Sequence, residues 1–453
     1  MAVYNNILES IGGTPLIKLN RMAEGLDADI YLKAENLNPG GSVKDRTALR
    51  MVEAAEKAGL LKEGGTIVEA TAGNTGAGLA MAAAVKGYRT IFVIPDKMSP
   101  DKIELLKAYG AEVVITPTSV PPDSPESYNG VAERLSREIP GAFRPNQFGN
   151  PENPLAHYHS TGPEIWNDLK GEIDVFVAGM GTGGTISGVS RYLKEKKPSV
   201  VVIGADPEGS ILSGDSPKPY KVEGIGEDFI PVTFNRQLVD EMIRVSDQES
   251  FNTARKLARE EGILAGGSSG TALAAALKYA ARLKEKKIIA VLLPDTGRNY
   301  LTKIFSDKWM RENGFWAAKE EEDAPVSEIQ RGSKETPVLI ALSPRDTLED
   351  AAGLMHKYDI SQIPVVEGEK QAGSMNEALV LKCLHDGVNM ENQKVSAVMG
   401  KPFPEISPQT RVSEAYRMLL AGHSGLVVTD NGRPVSLLTK MDVINYYAGR
   451  KKS

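Results

Sequence analysis

The chain of 453 residues contains a single cysteine, Cys383. One thiol excludes an intrachain disulfide and any metal site built from several cysteine ligands. The fold therefore does not need an oxidising compartment, and the sequence predicts a cytoplasmic protein. The first ten residues, MAVYNNILES, also lack the charged start and apolar stretch of a signal peptide.

Long hydrophobic runs and a strong excess of charge are absent as well. No segment approaches the roughly 18 uninterrupted apolar residues of a transmembrane helix, so no contact with a membrane is expected. The formal net charge of −6 gives no electrostatic reason to expect nucleic acid or an anionic membrane as a partner. The five histidines show no metal-ligand spacing, so no metal site is predicted, and His157 and His159 are expected to be structural.

Strand-like and helix-like segments alternate over about the first 310 residues. Continuous runs of Val, Ile and Leu, separated by amphipathic helices, predict parallel strands that are covered on both faces. The sequence therefore predicts an α/β fold. The predicted strands span residues 66–70, 89–95, 111–117, 174–181, 200–207 and 288–295.

The pattern changes after Trp309, and the chain length itself predicts two or three domains. Residues 317–335 are charged and show no periodicity, which is typical of an exposed linker, although a solvated helix is the alternative. Behind them, a strand, a helix and a further strand recur in two copies, which predicts an internal repeat. The predicted units are a core at 1–316, a linker at 317–335 and a repeat module at 336–453.

The segment NPGGSVKDR (38–46) places a lysine where a helix is expected to begin. Ser42 can cap this helix, and Lys44 would lie in its first turn, where the helix dipole disfavours a cation. A lysine with a lowered pKa suits a Schiff-base amine. The alternative is an ordinary solvated lysine.

Three glycine-rich turns each join a predicted strand to a predicted helix, at 69–76, 177–185 and 264–270. Backbone N–H groups at a helix N-terminus form an anion site, and the hydroxyl and amide side chains in these turns add donors. Ordinary turn chemistry is the alternative. At 177–185 a dinucleotide site is disfavoured, because no acidic residue stands about 20 residues further on and Asp206 lies somewhat farther. Several anion sites and a poised lysine predict a ligand with several anionic ends, such as pyridoxal phosphate (PLP) joined to an amino acid.

Together these segments resemble the fold-type-II PLP enzymes, a tryptophan synthase β-like family with two α/β subdomains, from about Tyr4 to Met310. The resemblance implies that Lys44 forms the Schiff base with PLP and that Asn74 contacts the ring oxygen. It places Ser268 opposite the pyridine nitrogen, which favours elimination of a β-substituent. The phosphate is implied to bind at Gly181, Thr182, Gly183, Gly184 and Thr185, and the substrate carboxylate at Thr71, Ala72, Gly73, Asn74, Thr75 and Gln147.

Within this family, segments 123–135, 153–159, 222–231 and 294–310 are similar to cystathionine β-synthases. The resemblance implies that Phe148, Glu223 and Gly224 line the substrate site. The repeat module resembles the tandem CBS pair that binds adenosyl ligands in many proteins. Its ribose contacts are implied at Thr439 and Asp442, and in the first copy at Ser374 and Glu377.

The sequence departs from the family at three places. It lacks the haem-binding segment of the mammalian enzymes, so no haem is expected. Ala72 and Phe148 stand where relatives have serine and tyrosine, and both missing hydroxyls are expected near the β-carbon of the substrate. This bears on whether serine or O-acetylserine is the better donor, because hydroxide needs a proton to leave and acetate does not.

The sequence thus predicts a lyase that replaces the β-substituent of serine or O-acetylserine with homocysteine to give cystathionine, and releases hydrogen sulfide from cysteine as a side activity. A cysteine synthase using sulfide, with an added regulatory module, is the nearer alternative. A nucleotide-sensing protein with an inactive core is the more distant one. The family resemblance implies a homodimer or higher oligomer.

Overall fold

The computed structural model describes residues 3–71, 73–96, 98, 100–121, 124–316, 324–329 and 339–449. The chain divides into two compact units, Met1–Trp316 and Ala317–Ser453. Of the predicted linker at 317–335, only residues 324–329 lie within the described part. None of the described helices is long and apolar enough to cross a membrane.

The first unit contains two β-sheets. Its strands are β1 (Leu16–Lys18), β2 (Ala28–Ala34), β3 (Thr66–Ala70), β4 (Arg89–Pro95), β5 (Glu112–Thr116), β6 (Ala142–Phe143), β7 (Val175–Gly179), β8 (Val201–Pro207), β9 (Glu241–Val245) and β10 (Lys287–Leu293). One sheet has the order β1-β2-β10-β7-β8-β9 and is parallel except for β1. The other has the order β5-β4-β3-β6 and is parallel throughout.

Helices cover these sheets. They are α1 (Lys44–Lys57), α2 (Asn74–Lys86), α3 (Pro100–Ala108), α4 (Tyr128–Glu138), α5 (Glu152–His159), α6 (Thr161–Asp168), α7 (Gly184–Lys196), α8 (Asp247–Glu261), α9 (Gly267–Ala280) and α10 (Asp307–Glu312). Alternate residues of β7 enter two different cores: Val175 and Val177 join one, and Phe176 and Ala178 join the other. The predicted α/β class with buried parallel strands is therefore confirmed.

All six predicted strands are present as β3, β4, β5, β7, β8 and β10, with small shifts at their ends. The sequence analysis did not recognise β2, although it lies between β1 and β10 in the larger sheet. Its sequence, ADIYLKA, includes Lys33, whose side chain is fully buried. Because a lysine is expected at the surface, the sequence of β2 does not show the pattern of a buried strand.

A buried ion network holds the first turns of α1. The guanidinium of Arg46 forms two hydrogen bonds with Glu35, at 2.7 and 2.8 Å, and two with Glu164 of α6, at 2.6 and 2.7 Å. Lys33 lies 2.8 Å from the second carboxylate and donates to the carbonyl of Thr14. Burial would raise the pKa of Glu164, but Arg46 and Lys33 outweigh this and lower it to about 2. The network ties α1 to the segment after β2 and to α6.

The second unit consists of two copies of one motif. Its elements are α11 (Leu348–Tyr358), β11 (Gln362–Glu367), β12 (Lys370–Asn376), α12 (Glu377–His385), β13 (Glu405–Ile406), α13 (Val412–Leu420), β14 (Gly425–Asp430), β15 (Arg433–Thr439) and α14 (Lys440–Gly449). Each copy has a helix, an antiparallel hairpin and a second helix, and each hairpin has an irregularity, at Val365/Val366 and at Val428/Thr429. The predicted internal repeat is confirmed.

The ion network predicts unequal effects for two arginines of α1. Arg46→Leu should destabilise the first unit by about 3 kcal/mol, because it leaves the carboxylate of Glu35 buried without its charge partner. Arg50→Leu should cost less than about 1 kcal/mol, because the ion pair of Arg50 with Glu152 is partly exposed. Tryptophan fluorescence during urea unfolding measures both, since Trp166, Trp309 and Trp316 all lie in the first unit. Equal losses would contradict a special role for the buried network.

Candidate active site

Lys44 is the first residue of α1 and lines a cavity. Its backbone N–H donates to Ser42 Oγ at 3.2 Å, although the residue directly before the helix is Val43. Burial lowers the pKa of Lys44, while the charges of Asp295 and Glu227 oppose this effect. Among the described residues, no carboxylate pairs directly with its Nζ. A lysine of this kind supplies a neutral, nucleophilic amine more readily than a solvated one.

The glycine-rich turn between β7 and α7 faces the same cavity. Gly183 directly precedes α7 and has a φ of +78°, a backbone conformation that residues other than glycine rarely adopt. A Cβ on Gly181 would come within 2.7 Å of the carbonyl oxygen of Gly224. The cavity is lined by Val43, Lys44, Gly179, Gly181, Thr182, Gly183, Thr185, Gly224, Ile225, Leu292 and Pro294. The cavity lies at the N-terminus of α7, beside the amine of Lys44. A phosphate next to an aldehyde would fit this arrangement.

The turn between β3 and α2 provides a second set of donors. Gly73 directly precedes α2, and Asn74 is its first residue. The hydroxyl of Thr75 donates to Gln147 Oε1 at 2.6 Å, so the structure brings together two residues predicted to bind the substrate carboxylate. The hydroxyl oxygen of Thr71 accepts from the Gly73 N–H at 3.4 Å. Ala72, also predicted to bind the carboxylate, lies outside the described residues.

Asn153, which the sequence analysis did not single out, connects Gln147, the partner of Thr75, to the glycine-rich turn after β7. Its amide donates to the carbonyl of Gln147 at 2.8 Å and to the hydroxyl of Thr182 at 3.0 Å. The same hydroxyl oxygen accepts from the N–H of Gly184 at 3.3 Å, and Gly184 lies directly against Asn153. This one amide therefore fixes the spacing between the two predicted anion sites.

Ser268 is buried in the first turn of α9. The residue before this helix, Gly266, donates its N–H to the carbonyl of Asp295 at 3.0 Å. The start of α9 therefore lies next to the end of β10. The side chain of Asn74 also bonds to Asp295 and so lies close to this helix start.

Asp295 is a fully buried residue at the centre of this arrangement. Its Oδ2 accepts from the Asn74 amide at 2.9 Å and from the Tyr300 hydroxyl at 2.7 Å, while Oδ1 has no hydrogen-bond partner among the described residues. Burial raises the pKa of Asp295 to about 6, against the effect of these two hydrogen bonds. Asp295 lies two residues after the last residue of β10, Leu293, and this position beyond the carboxyl end of a parallel strand could have identified it.

Glu223 forms ion pairs with two lysines from different elements, Lys102 of α3 and Lys303. Burial would raise the pKa of Glu223, but the two ammonium groups outweigh this effect and lower it. The next residue, Gly224, lines the cavity of Lys44. The ring of Phe148, also predicted to line the substrate site, packs edge-on against Phe229 with 5.2 Å between the ring centres.

Glu227 is a second carboxylate that the sequence analysis missed. Its backbone is held by Ser210, whose Oγ accepts from the Glu227 N–H at 3.1 Å, and by Ile211, which donates to its carbonyl. Burial raises the pKa of Glu227 to about 7, the charge of Asp228 adds to the rise, and the charge of Lys44 opposes it. A partly buried carboxylate near the candidate lysine adds a proton-binding group to the site.

In the second unit, Thr439 and Asp442 lie together at the start of α14. Asp442 Oδ2 accepts from the Thr439 N–H at 2.7 Å and from its hydroxyl at 2.6 Å. The two predicted counterparts in the first copy are arranged differently. The Ser374 hydroxyl donates to the carbonyl of Lys401, and Glu377 is the first residue of α12.

The register of the two hairpins corrects this pairing of positions. Thr439 is the last residue of β15 and pairs with the first residue of β14, and Asn376 has the same place in β12 relative to β11. Asn376 and Leu379, rather than Ser374 and Glu377, are therefore equivalent to Thr439 and Asp442. Asn376 accepts from the Leu379 N–H at 2.9 Å, as Asp442 and Thr439 bond to each other.

Comparisons with known proteins identify the families that the two units match. Residues 7–295 match the family of pyridoxal-phosphate dependent enzymes, and residues 326–373 and 395–449 match the CBS domain. Cystathionine β-synthase of Dictyostelium discoideum is 41% identical, with 98% of this chain and 92% of that protein covered. Cysteine synthase of Staphylococcus aureus is 46% identical but covers 67% of this chain and 97% of its own length. The structure of the O-acetylserine dependent cystathionine β-synthase of Helicobacter pylori is 43% identical, with a TM-score of 0.63, and covers 67% of this chain and 99% of its own.

The pKa of Asp295 predicts how an amide substitution depends on pH. Because the folded protein raises this pKa from 3.8 to about 6, the wild type loses stability relative to Asp295→Asn as the pH rises through this window. The difference should grow by about 3 kcal/mol between about pH 4 and pH 6 and then level off. Urea unfolding followed by tryptophan fluorescence measures it. A constant difference for Asp295→Asn would refute the shift.

Proposed function

This chain belongs to the cystathionine β-synthase family of pyridoxal-phosphate dependent enzymes, and we propose that it condenses O-acetylserine or serine with homocysteine to give cystathionine. It is a PLP-dependent lyase. The observation that carries the proposal is the position of the Lys44 amine on the same cavity as the glycine-rich turn Gly181–Thr185. Asn153 fixes the pair Thr75 and Gln147 beside that turn.

The residues present fit PLP. The helix N-terminus of α7 and the hydroxyl of Thr185 would hold the phosphate, Lys44 the aldehyde carbon, Asn74 the ring oxygen, and Ser268 the ring nitrogen. When bound, the cofactor supplies an aldehyde for the amine and a ring that withdraws electrons from the substrate Cα. Thr71, Gly73, Asn74, Thr75 and Gln147 would orient the substrate carboxylate, with Ala72 as a further member.

The chain supplies the proton transfers. With its lowered pKa, Lys44 Nζ accepts the proton from the substrate Cα and can then donate it to the departing group. Phe148 offers no hydroxyl at its place and packs against another aromatic ring, Phe229. Acetate leaves without a proton, whereas hydroxide needs one. The lack of a hydroxyl at Phe148 therefore favours O-acetylserine as the donor.

Glu223 and its two lysines favour homocysteine over sulfide as the incoming thiol. An amino acid presents an ammonium and a carboxylate, and this cluster offers the complementary carboxylate and ammonium groups next to a residue that lines the cavity. Sulfide has neither group and needs no such cluster. Run with cysteine as donor, the same site releases hydrogen sulfide. An adenosyl ligand at Thr439 and Asp442, and a homodimer or higher oligomer, stay predictions.

Replacing the Schiff-base lysine tests the centre of the proposal. Lys44→Ala should lose the visible absorbance of the lysine-bound cofactor and at least about a thousandfold in turnover, because the variant lacks both the amine and the base. Lys57→Ala, at the exposed far end of α1, is the matched control and should keep both. Retention of the absorbance band and of turnover in Lys44→Ala would reject the assignment.

The choice of thiol is tested at Lys303. Lys303→Met should raise the KM for homocysteine about tenfold or more, since a charge-assisted contact is lost, and change the KM for sulfide less than about twofold. Lys308→Met, a neighbouring exposed lysine, is the control. The rates are measured with O-acetylserine, which should react faster than serine. Equal changes for both thiols would remove the argument from this cluster, and a wild-type preference for sulfide would indicate a cysteine synthase.

A further inference from the structure

His157 is a fully buried histidine whose ring contacts three threonine hydroxyls from three helices. Its Nε2 lies 3.2 Å from Thr47 Oγ1 of α1 and 3.2 Å from Thr185 Oγ1 of α7. Its Nδ1 lies 3.0 Å from Thr161 Oγ1 of α6. One of these hydroxyls, that of Thr185, belongs to the turn that we propose for the phosphate, so His157 adjoins the cavity of Lys44 without lining it.

The environment of His157 favours the neutral imidazole. Burial lowers the pKa of His157 well below its usual value, and the nearby charges of Arg46 and Lys44 lower it further. A neutral imidazole has one N–H donor and one acceptor nitrogen. The three hydroxyls must therefore share these two functions, and the position of the single ring proton determines where each hydroxyl can donate.

The arrangement favours the proton on Nε2. Within the described part of the chain, Thr161 has the only hydroxyl at Nδ1 and can donate to it, while Nε2–H points to the two oxygens of Thr47 and Thr185. With the opposite tautomer, a single lone pair on Nε2 would face two hydroxyl donors. The Nε2–H form leaves the proton of Thr185 free to point into the cavity, where an anion would accept it.

We propose that His157 is a positioning residue of the phosphate site: its Nε2–H donates to Thr185 Oγ1 and so aims the hydroxyl proton of Thr185 at the cofactor phosphate. This inference rests on the proposed function, since it takes PLP as the occupant of the cavity. Because α1 begins with Lys44 and also includes Thr47, the same ring couples the phosphate turn to the helix of the Schiff-base lysine.

Two substitutions separate positioning from mere filling of space. His157→Leu removes both nitrogens, whereas the amide nitrogen of His157→Gln can replace Nε2–H. In the holoenzyme, His157→Leu should shift the 31P resonance of bound PLP and weaken PLP binding, measured by equilibrium dialysis, about tenfold to a hundredfold. His157→Gln should restore most of both signals. His159→Leu, two residues away and exposed, is the matched control and should change neither.

A double-substitution cycle tests the route through Thr185. Thr185→Val alone should weaken PLP binding by a similar factor, and adding His157→Leu to it should cause less than about a twofold further loss. Independent, multiplying losses would overturn the inference. So would a 15N spectrum of the wild-type holoenzyme with the His157 proton on Nδ1, a measurement that does not depend on whether the leucine variant folds.

These outcomes are distinct from failure of the proposed function. A wild-type protein that binds no PLP would overturn the proposed function itself. A wild-type holoenzyme with normal turnover, together with a folded His157→Leu variant whose 31P resonance and PLP affinity are unchanged, would overturn only the role of His157.

Discussion

The start of α1 is the feature on which the candidate site depends, and buried charges fix it. Arg46, two residues after Lys44, forms paired hydrogen bonds with carboxylates from two other parts of the unit, Glu35 and Glu164. Such a bidentate ion pair specifies orientation as well as distance. The amine of Lys44 is therefore presented to the cavity by a helix that cannot rotate without breaking these contacts.

Around this helix, one local arrangement occurs several times: a parallel strand ends and polar residues follow it. Parallel strands end at the same edge of a sheet, and here β3, β7 and β10 are followed by the turn at Thr71–Thr75, the turn at Gly181–Thr185 and by Asp295. Side-chain amides then join these segments across the site: Asn74 bonds to Asp295, and Asn153 bonds to Thr182 of one turn and to Gln147, which itself accepts from Thr75 of the other. Helix N-termini favour anions, so their convergence suits a ligand with a phosphate and a carboxylate.

The second unit consists of two repeat copies that differ in the residues at equivalent helix starts. Each copy of its repeat buries its own apolar residues, with one core around Val365 and another around Val428. At the equivalent helix starts, however, the copies differ: the pair Thr439 and Asp442 in one copy is replaced by Asn376 and Leu379 in the other. Since Leu379 has no carboxylate, the two copies offer a ligand different groups at these helix starts.

The sequence by itself determined the α/β class, the internal repeat and the family, because these depend on local patterns: runs of Val, Ile and Leu, glycine-rich turns and short motifs. It also singled out Lys44, Asn74 and the glycine-rich turn after β7, whose roles still stand as predictions. Only the tertiary structure identified Lys33 as a buried strand residue, Asp295 and Glu227 as carboxylates near Lys44, and His157 as a neighbour of the phosphate turn. The physical reason is that burial and ion pairing join residues far apart in sequence: His157 is 28 residues from Thr185, and Asn74 is 221 from Asp295.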